Sequence, residues 1–491
     1  YLSFFGIDTK KFNSIIKDEV TNINKNLNIK LKSVKIKLNP FNLSFNIMTI
    51  SPDIFLNNHK LELEKVTTNI SLKSLINKGF FIDDLYVSTK RTKIKKLILL
   101  SRSFNNSTEL FILDKVVKQG YIIGDIKLNF DKNENEKNNY KINGYIENVK
   151  LNFLNNNKIN NLNLNLKIEN RDYLLKEIEA EFNQIQFKSP RIEISDKSDS
   201  FLISGELVNK NTTNLSFIAD SIKKNNIKKI SFSSNNKFTL NISKKFKIKD
   251  FQLKSQIDLN NLTFEDNLLN VKKYFLSSKE LIKLEKHKIL INYKNNNLDI
   301  SGKGSLIIND KSEFIDYKIQ KKNDQYNFDT VIEINENPLF LNELDYKKDI
   351  NIKSLLKLNG FNKNNKLVKF NSVSYKENKN NIIIKDLILD NNFKILDIKL
   401  LKLNYRNKNN KKNQVSIKKN KNKYILEGNS FDISSLIDRI LDAKDDNTSS
   451  IFDNLNSEIK IKISKTYLDE LTFMNDLQGN IFFEKNKINK L

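Results

Sequence analysis

The chain offers few side chains whose type and spacing could support catalysis or metal binding. Its two histidines, His59 and His287, lie far apart among Lys, Leu and Glu residues, without a second histidine at metal-ligand spacing. The adjacent aspartates at 83–84 and at 445–446 would point to opposite sides of a strand, so we interpret them as solvated loop acids. We find no Ser/His/Asp arrangement. These residues predict no catalytic site, no metal site and no cofactor.

Two further features exclude other kinds of chemistry. The segment Gly302-Lys303-Gly304 lacks the spacing and the Ser or Thr of a phosphate-binding loop, and glycine inside a strand more often marks a bulge or a bend. The chain has no cysteine, which excludes disulfides, cysteine-based zinc sites and thiol catalysis. We therefore expect a protein that is not an enzyme.

The strongly basic composition raises the question of an anionic partner. The net charge is +26, from 84 basic and 58 acidic residues, which suits nucleic acid or an anionic membrane surface. Only six of the basic residues are Arg, the residue preferred for bidentate phosphate and guanine contacts. The Lys residues are spread along the chain and accompany much Asn, Ile and Phe, as an AT-rich genome supplies. We expect no nucleic-acid partner, but a weak attraction to anionic lipid headgroups.

Length and composition indicate one repeated pattern rather than a string of compact domains. The 491 residues would suffice for two or three domains, but 4 Pro and 11 Gly leave little of the usual punctuation between them. No stretch reaches the roughly 18–20 apolar residues of a spanning helix. The opening residues 1–6 are similar to the end of an apolar segment, so we expect a membrane anchor before them.

Helical periodicity is confined to short segments. The spacing predicts an amphipathic helix over Thr9–Leu27, with Thr9 as N-cap. Its apolar stripe consists of Phe12, Ile15, Ile16, Val20, Ile23 and Leu27. This stripe could lie on a membrane surface or cap a sheet, and we favour capping. A second helix is predicted over Thr108–Gln119 with Gly120 as its left-handed stop, and others near Leu268–Glu285 and Ser434–Leu441.

Almost everything else alternates between apolar and polar residues, as half-buried strands do. The clearest runs are Ile126–Phe130, Leu162–Ile168, Ile178–Phe187, Phe201–Leu207, Phe246–Leu259, Leu298–Ile308, Ile382–Leu389 and Ile395–Leu403. The spacers Asp131–Asn139, Asn155–Lys158 and Asn407–Asn413 are predicted to be hairpin loops that use Asn, rather than Gly, at positive φ. Short local loops imply antiparallel meanders.

An antiparallel sheet with one apolar face must cover that face. There are too few helices to do so, and a membrane barrel would need aromatic girdles at both strand ends, which the Phe residues do not form. The pattern leaves two arrangements open. One is an array of packed β-sandwiches, as in a structural or adhesive surface protein, and the other is a curved open sheet whose apolar face holds lipid.

Several segments resemble the AsmA-like family of proteins. The N-terminal third has the family's order of a helix (Phe12–Leu27), paired strands (Ile29–Leu38 and Leu43–Ile50), a short unit (Asn69–Ile76) and a further strand (Phe81–Val87). The pattern of Leu298–Leu306, with its two glycines, is similar to a strand pair in the larger members, which carry a preceding domain of unknown function. The stretches Tyr424–Ile437 and Tyr467–Phe483 are similar to their C-terminal part.

The resemblance implies a mostly β fold: a long antiparallel, twisted and curled sheet that forms an open apolar trough, with an N-terminal helix and a few short helices. Residues 1–28 would be the helix after the anchor, 29–120 the N-terminal strands with short helices, and 121–491 the trough, which continues further in relatives. The implied function is transfer of phospholipid between the inner and outer membranes of a Gram-negative bacterium. The protein would be periplasmic and anchored to the inner membrane, with an outer-membrane protein as a further partner.

On this interpretation the apolar positions of the alternating strands between residues 126 and 187 line a lipid-binding groove. The predicted lining is Ile126, Leu128, Phe130, Ile142, Leu151, Phe153, Leu162, Leu164, Leu166, Ile168, Phe182 and Phe187. In a sandwich the same residues would form the core between two sheets.

Overall fold

The computed structural model describes most of the chain and is dominated by β-strands. The described residues are 1–23, 25, 27–56, 59–72, 82–104, 108–129, 139–152, 157–170, 172–182, 185–212, 227–245, 247–265, 272–275, 281–363, 367–390, 394–421, 423–434, 457–484 and 487–490. Nearly all described strands belong to one large mixed sheet. The prediction of a mostly β fold with a few short helices is confirmed.

The chain divides into two units. Unit 1 comprises Tyr1–Phe217 with Asn235–Phe251, and unit 2 comprises Ile218–Ser234 with Gln252–Leu491. Two long strands, β15 (Ile227–Ser243) and β16 (Ile248–Glu265), contribute residues to both units.

Unit 1 contains fourteen further strands, numbered in chain order. They are β1 (Ile7–Thr9), β2 (Leu27–Lys30), β3 (Val34–Asn39), β4 (Ser44–Ile50), β5 (Asp53–Leu56), β6 (His59–Ser71), β7 (Ile82–Thr89), β8 (Thr92–Lys93), β9 (Val117–Asn129), β10 (Asn139–Asn152), β11 (Lys158–Glu169), β12 (Asp172–Phe182), β13 (Ile185–Asp196) and β14 (Ser200–Thr212). Antiparallel pairing gives the order β1-β3-β4-β6-β7-β9-β10-β11-β12-β13-β14. The short strands β2, β5 and β8 pair beside this ladder.

Unit 2 continues the same hairpin pattern after β16. Its strands are β17 (Leu281–Lys294), β18 (Asn297–Ile308), β19 (Lys311–Lys322), β20 (Gln325–Glu333), β21 (Leu339–Leu341), β22 (Tyr346–Lys348), β23 (Ser354–Lys363), β24 (Leu367–Glu377), β25 (Asn380–Leu389), β26 (Ile395–Arg406), β27 (Lys412–Asn420), β28 (Lys423–Asp432), β29 (Ser457–Tyr467), β30 (Phe473–Glu484) and β31 (Lys487–Lys490). Each strand from β16 to β31 pairs with the next in sequence, except that β20 pairs with β23 and that β21 and β22 form a separate ribbon.

The predicted meander is interrupted where β1 pairs with β3, β4 with β6, β7 with β9 and β20 with β23. The described pairings are antiparallel with one exception. Strands β28 and β29 are parallel, with Tyr424 opposite Ile459. Parallel neighbours need a crossover between them, and here the chain between the two strands includes residues 435–456, which lie outside the described part. The expectation of an entirely antiparallel sheet is therefore wrong at this pair. The prediction rested on short loops between strands, and β28 and β29 are not joined by a short loop.

The helices differ from several predictions. They are α1 (Asn13–Ile23), α2 (Ile94–Phe104), α3 (Thr108–Val116), α4 (Lys272–Phe275) and a 3₁₀ turn at Asn342–Leu344. Helix α1 occupies only the middle of the predicted span, and Leu27 already belongs to β2. Helix α2 was not predicted. None of the described helices is long and apolar enough to cross a membrane.

Three predicted boundaries are wrong for identifiable reasons. Helix α3 ends at Val116, and Gly120 lies inside β9, where a side chain would overlap Val149. Of the helix expected near Leu268–Glu285, the described residues are α4 and the first residues of β17, whose apolar residues alternate with polar ones, so the end of the span is a strand. The run Ile178–Phe187 is two strands of a hairpin, β12 and β13. Most of Ser434–Leu441 lies outside the described residues.

The described parts of the segments that carry the family resemblance show a further difference, while residues 73–76, 81 and 435–437 of those segments lie outside the described part. The stretch Ile29–Leu38, expected to be a single strand paired with Leu43–Ile50, contains the end of β2 and most of β3. Only β3 pairs with β4. The other alternating runs coincide with β9, β11, β14, β16, β18, β25 and β26.

The predicted loop Asn407–Asn413 joins β26 to β27 and uses Asn410 at a φ of 59°, as predicted, and other described turns also use asparagine. Asn170, Asn295, Asn309, Asn323 and Asn378 follow strands and have φ between 48° and 56°. Asparagine tolerates this left-handed region because its short side chain bonds to the local backbone. The loops at 131–138 and 155–156 lie outside the described residues, so this part of the prediction stays untested there.

Candidate functional site

The register of β9 to β14 sets the candidate site in unit 1. Residues directly opposite each other in an antiparallel pair point to the same side of the sheet, and so do residues two apart in a strand. One row of such partners runs Ile126, Ile142, Ile168, Tyr173, Ile194 and Ile203 across the six strands. A neighbouring row runs Gly124, Gly144, Leu166, Leu175, Ile192 and Gly205. We call this side of β9 to β14 the apolar face.

Most of the predicted lining residues meet on the apolar face. The register brings together Ile126, Ile142, Leu151, Leu162, Leu164, Leu166, Ile168, Phe182 and Phe187. Leu128 pairs with Leu85 and Tyr140 in the same ladder, although its side chain is outside the described part. Phe130 and Phe153 also lie outside the described residues. Ile192 and Ile194 belong to the face and were not among the predicted residues.

Bulges keep the face continuous along the described strands, three of them at residues with positive φ and others at register shifts in β9 and β13. Asn148, Asn161 and Glu177 have positive φ and each adds one residue to its strand, β10, β11 and β12 respectively. Because the three extra residues lie on consecutive strands, Leu151 and Phe182 remain on the same side as Ile142. In the sequence, Asn148 and Asn161 are weak indicators of positive φ, but nothing there indicates that the bulges lie side by side on neighbouring strands.

Burial on the apolar face is uneven. Leu164, Ile178 and Ile185 are 5%, 7% and 3% exposed, in the bulged region. Ile126, Ile142, Leu166 and Ile168, nearer the other end of the strands, are only half-buried. An apolar face in contact with water is unfavourable by about 25 cal/mol per Å². The half-buried rows are therefore where an apolar ligand would be stabilised.

The opposite side of the same strands is charged. Lys141 and Lys167 lie 3.6 and 3.0 Å from carboxylate oxygens of Glu169, and their hydrogen bonds and charge lower the pKa of Glu169. Asn165 Nδ2 donates to Glu177 at 2.6 Å. A cavity of about 540 Å³ is lined by residues of both signs, including Arg191 and Glu193 of this side, together with Tyr173 and Ile194 of the apolar face. Its lining does not suit an acyl chain.

Unit 2 carries an apolar face of the same kind, which the predicted site omitted. One row runs Ile257, Ile289, Gly302, Tyr317, Thr330, Leu358, Val373, Ile384, Leu401 and Ile417, from β16 to β27. The sequence did indicate this face, because the alternating runs recognised there as strands, now β18, β25 and β26, contain part of the row.

An insertion between β20 and β23 covers one border of this second face. Its Leu339 and Tyr346 pack in a buried cluster with Tyr375, Ile382 and Leu403. Tyr346 and Tyr375 stack edge to face at 5.8 Å, and their hydroxyls lie 3.2 Å apart. Burial raises the pKa of Tyr375 to about 12. The insertion thus covers the neighbouring row Tyr375, Ile382 and Leu403.

The insertion is fixed by two buried charged groups. The Glu313 carboxylate accepts backbone N–H groups of Asn335 at 2.6 Å, Glu336 at 3.1 Å and Asn337 at 2.7 Å. Lys348, which has no exposed surface, donates to three backbone carbonyls, the nearest that of Asn337 at 2.7 Å. Desolvation lowers the pKa of Lys348, and the Glu313 charge opposes that shift.

The two mid-strand glycines of β18 have a specific role. A side chain on Gly304 would lie 2.3 Å from the ring of His287, and one on Gly302 would lie 2.4 Å from the hydroxyl of Tyr317. His287 is 1% exposed and its Nε2 lies 3.0 Å from the carbonyl of Ser305. The glycines therefore make room for two rings from neighbouring strands. The expected irregularity is also present, because the register of β17 with β18 shifts between the pairs Glu285–Ser305 and Lys288–Lys303, on either side of Gly304.

Comparison of the chain with family models, with curated proteins and with solved structures finds no match. Within the described ranges, no group of three or more His, Asp or Glu side chains is arranged to hold a metal ion. The site is accordingly defined by its own geometry: a half-buried apolar face backed by a charged one.

Proposed function

We propose that this protein binds phospholipid acyl chains on the apolar face of β9 to β14 and transfers lipid between membranes, as the resemblance to AsmA-like proteins implies. The observation that supports the proposal most is the half-buried row Ile126, Ile142 and Ile168, which continues through Tyr173 to Ile194 without a charged residue. In this proposal the protein acts in the periplasm of a Gram-negative bacterium, held at the inner membrane, and delivers lipid towards an outer-membrane partner.

The dimensions of the face suit acyl chains. Six strands about 4.8 Å apart span roughly 24 Å, and strands of about twelve residues are roughly 40 Å long. An acyl chain occupies half of a hydrocarbon core about 30 Å thick, or about 15 Å. Several chains can therefore lie on the face with the headgroup left in water.

The energetics explain why such a face needs no catalytic residue. A diacyl lipid exposes roughly 30 methylene groups, each unfavourable in water by about 0.8 kcal/mol, so full exposure costs on the order of 20 kcal/mol. Contact with Ile, Leu and Phe side chains offsets most of that barrier. The face supplies no direction of flow.

The alternative role, a structural or adhesive protein of packed β-sandwiches, requires pairs of separate sheets. The described strands instead lie in one large sheet accompanied by the two-stranded ribbon β21–β22. This observation favours the lipid-binding proposal, because a sandwich is built from two sheets packed face to face.

The test is mass spectrometry of lipids that co-purify with the protein in mild detergent. We expect several phospholipids per wild-type chain. A double substitution, Ile142→Asp with Leu166→Asp, places two charges on half-buried positions of the apolar face and should remove most of the lipid.

The matched control is Asn143→Asp with Tyr145→Asp, which places the same two charges on exposed positions of the opposite side of β10. Circular dichroism and thermal melting establish that both variants fold. A folded wild-type protein without lipid above a mock purification would contradict the proposal, as would equal lipid loss in both variants.

A further inference from the structure

The N-terminal end of unit 1 exposes large apolar side chains. Phe41 is 98% exposed and Leu43 is 61% exposed in the turn between β3 and β4, and Phe4 and Phe5 are 81% and 66% exposed. We propose that this surface, which we call the hairpin tip and define by Phe4, Phe5, Phe41 and Leu43, docks on an anionic lipid bilayer by inserting its apolar side chains at the headgroup boundary.

Pairing places the four side chains at one end of the same sheet. Ile7 of β1 is opposite Ile36 of β3, and the chain before Ile7 runs along β3 towards the turn. The N–H of Leu38 donates to the carbonyl of Leu2 at 3.2 Å, which holds the first residues beside the start of the turn. Two segments that are far apart in sequence thus form one apolar surface.

The turn itself is built so that the tip projects. Phe41 N–H donates to Asn39 Oδ1 at 3.1 Å, and Ser44 Oγ donates to Asn42 Oδ1 at 2.7 Å. Leu43 has φ of 47°, a left-handed conformation that is unfavourable for a branched aliphatic residue. The local hydrogen bonds hold this conformation although neither Phe41 nor Leu43 gains burial from it.

The charge distribution around the hairpin tip selects an anionic membrane as the partner. Neither segment 1–7 nor segment 38–50 contains a charged residue. Lys35 and Lys37 lie beside Gly6, behind the tip, and Lys10 and Lys11 are exposed close by in sequence, against one exposed acid, Asp8, which lies opposite Lys35. Apolar side chains backed by lysines match a bilayer surface, where apolar groups enter the interface and lysines meet anionic headgroups.

The experiment is tryptophan fluorescence on the full chain, which contains no tryptophan of its own, so a single introduced tryptophan gives the whole signal. Phe41→Trp introduces one reporter at the hairpin tip. Vesicles of phosphatidylcholine with about 30% phosphatidylglycerol should shift its emission to the blue, and brominated acyl chains should quench it. Leu471→Trp is the control. Leu471 is 92% exposed in another turn, but it directly follows the acidic residues Asp469 and Glu470, which an anionic membrane would repel.

Vesicle flotation then measures the contribution of the tip. Phe41→Ser with Leu43→Ser should lower the partition coefficient by about tenfold or more, and higher salt should weaken the remaining binding. Leu471→Ser with Phe473→Ser should leave it unchanged. Two results would overturn the proposal: vesicle binding without a change in the emission of the tryptophan at position 41, or no vesicle binding by the wild type. In either case a protein would be the remaining kind of partner for this surface. Flotation does not depend on lipid held on the apolar face, so the two proposals fail separately.

Discussion

Gly304 illustrates how a single residue position is constrained by rings on other strands. Gly304→Ala would place a methyl group 2.3 Å from His287 Cδ2, in a position that cannot relax without moving a buried ring. We expect a destabilisation of about 1–3 kcal/mol, measured as the shift of the urea midpoint.

Gly479→Ala is the matched control for that measurement. Gly479 is also in a strand, β30, but its added methyl group would meet no atom within 4 Å. Alanine has less freedom in the unfolded chain than glycine, so the control should be neutral or slightly stabilising. Equal destabilisation by both substitutions would show that strand propensity, and not the ring contact, sets the effect.

His287 gives the molecule a predicted pH dependence. Burial lowers the pKa of its imidazole below the usual 6.5, and the hydrogen bond to Ser305 only partly opposes this. The unfolded chain therefore binds a proton more readily. Stability should be complete above about pH 6.5 and fall as the pH drops towards the lowered folded-state pKa.

The check is the urea midpoint between about pH 7.5 and 5.5, measured for wild type and His287→Gln. Carboxylates are common to both proteins, so the difference between the two curves isolates the histidine. The His287 variant should show a flatter curve. A wild-type slope retained in His287→Gln would exclude this histidine as its source.

Residue roles of this kind were only partly predictable. The glycine pair at 302 and 304 was recognisable as unusual within an alternating run. Its cause was not, because the rings of His287 and Tyr317 come from β17 and β19, and no local pattern specifies which side chain lies opposite a glycine.

At the scale of elements, the insertion between β20 and β23 depends on Glu313. This carboxylate, 2% exposed, accepts three backbone N–H groups and the side-chain amide of Asn337. Glu313→Ala would leave those donors without their acceptor. We expect local opening of residues 335–349 to become easier by about 2–4 kcal/mol.

Hydrogen exchange of the backbone amides in residues 335–349 measures this opening. Protection there should fall by about 30-fold or more in Glu313→Ala, with little change in β25 and β26. Glu333→Ala, an exposed glutamate at the end of β20, is the control and should preserve protection. A uniform loss of protection across unit 2 would contradict a local role.

Elements were predictable where the alternation was strict and unreliable where it was not. Leu162–Ile168 was recognised as a strand because every second residue is apolar. Helix α2 was missed, since the run Leu97–Leu100 is apolar without interruption and shows no period. Gly120 was assigned to the end of a helix because a glycine at that spacing is typical of one, whereas the register of β9 with β10 requires it in a strand.

For the whole molecule, the mostly β class followed from the sequence because the contacts that create it are local. Each hairpin joins strands that are neighbours in the chain, so alternation and Asn-rich turns are sufficient to predict it. The burial of the apolar faces was not predictable. In unit 2 it depends on the insertion that carries β21 and β22, and in unit 1 on bulges that lie side by side, such as those at Asn148 and Asn161. The lipid proposal applies to the half-buried rows of the apolar face in unit 1, such as Ile126, Ile142 and Ile168.

The consecutive pairing of neighbouring strands makes the sheet modular in length. A hairpin added within the ladder β9 to β14 would restore the same strand direction and the same apolar side, and would extend the ladder by about 9.6 Å. A single added strand would reverse every strand after it. Growth or loss in steps of two strands, by duplication or deletion of a whole hairpin, is therefore the change in span that this architecture can accept without redesign of the rest.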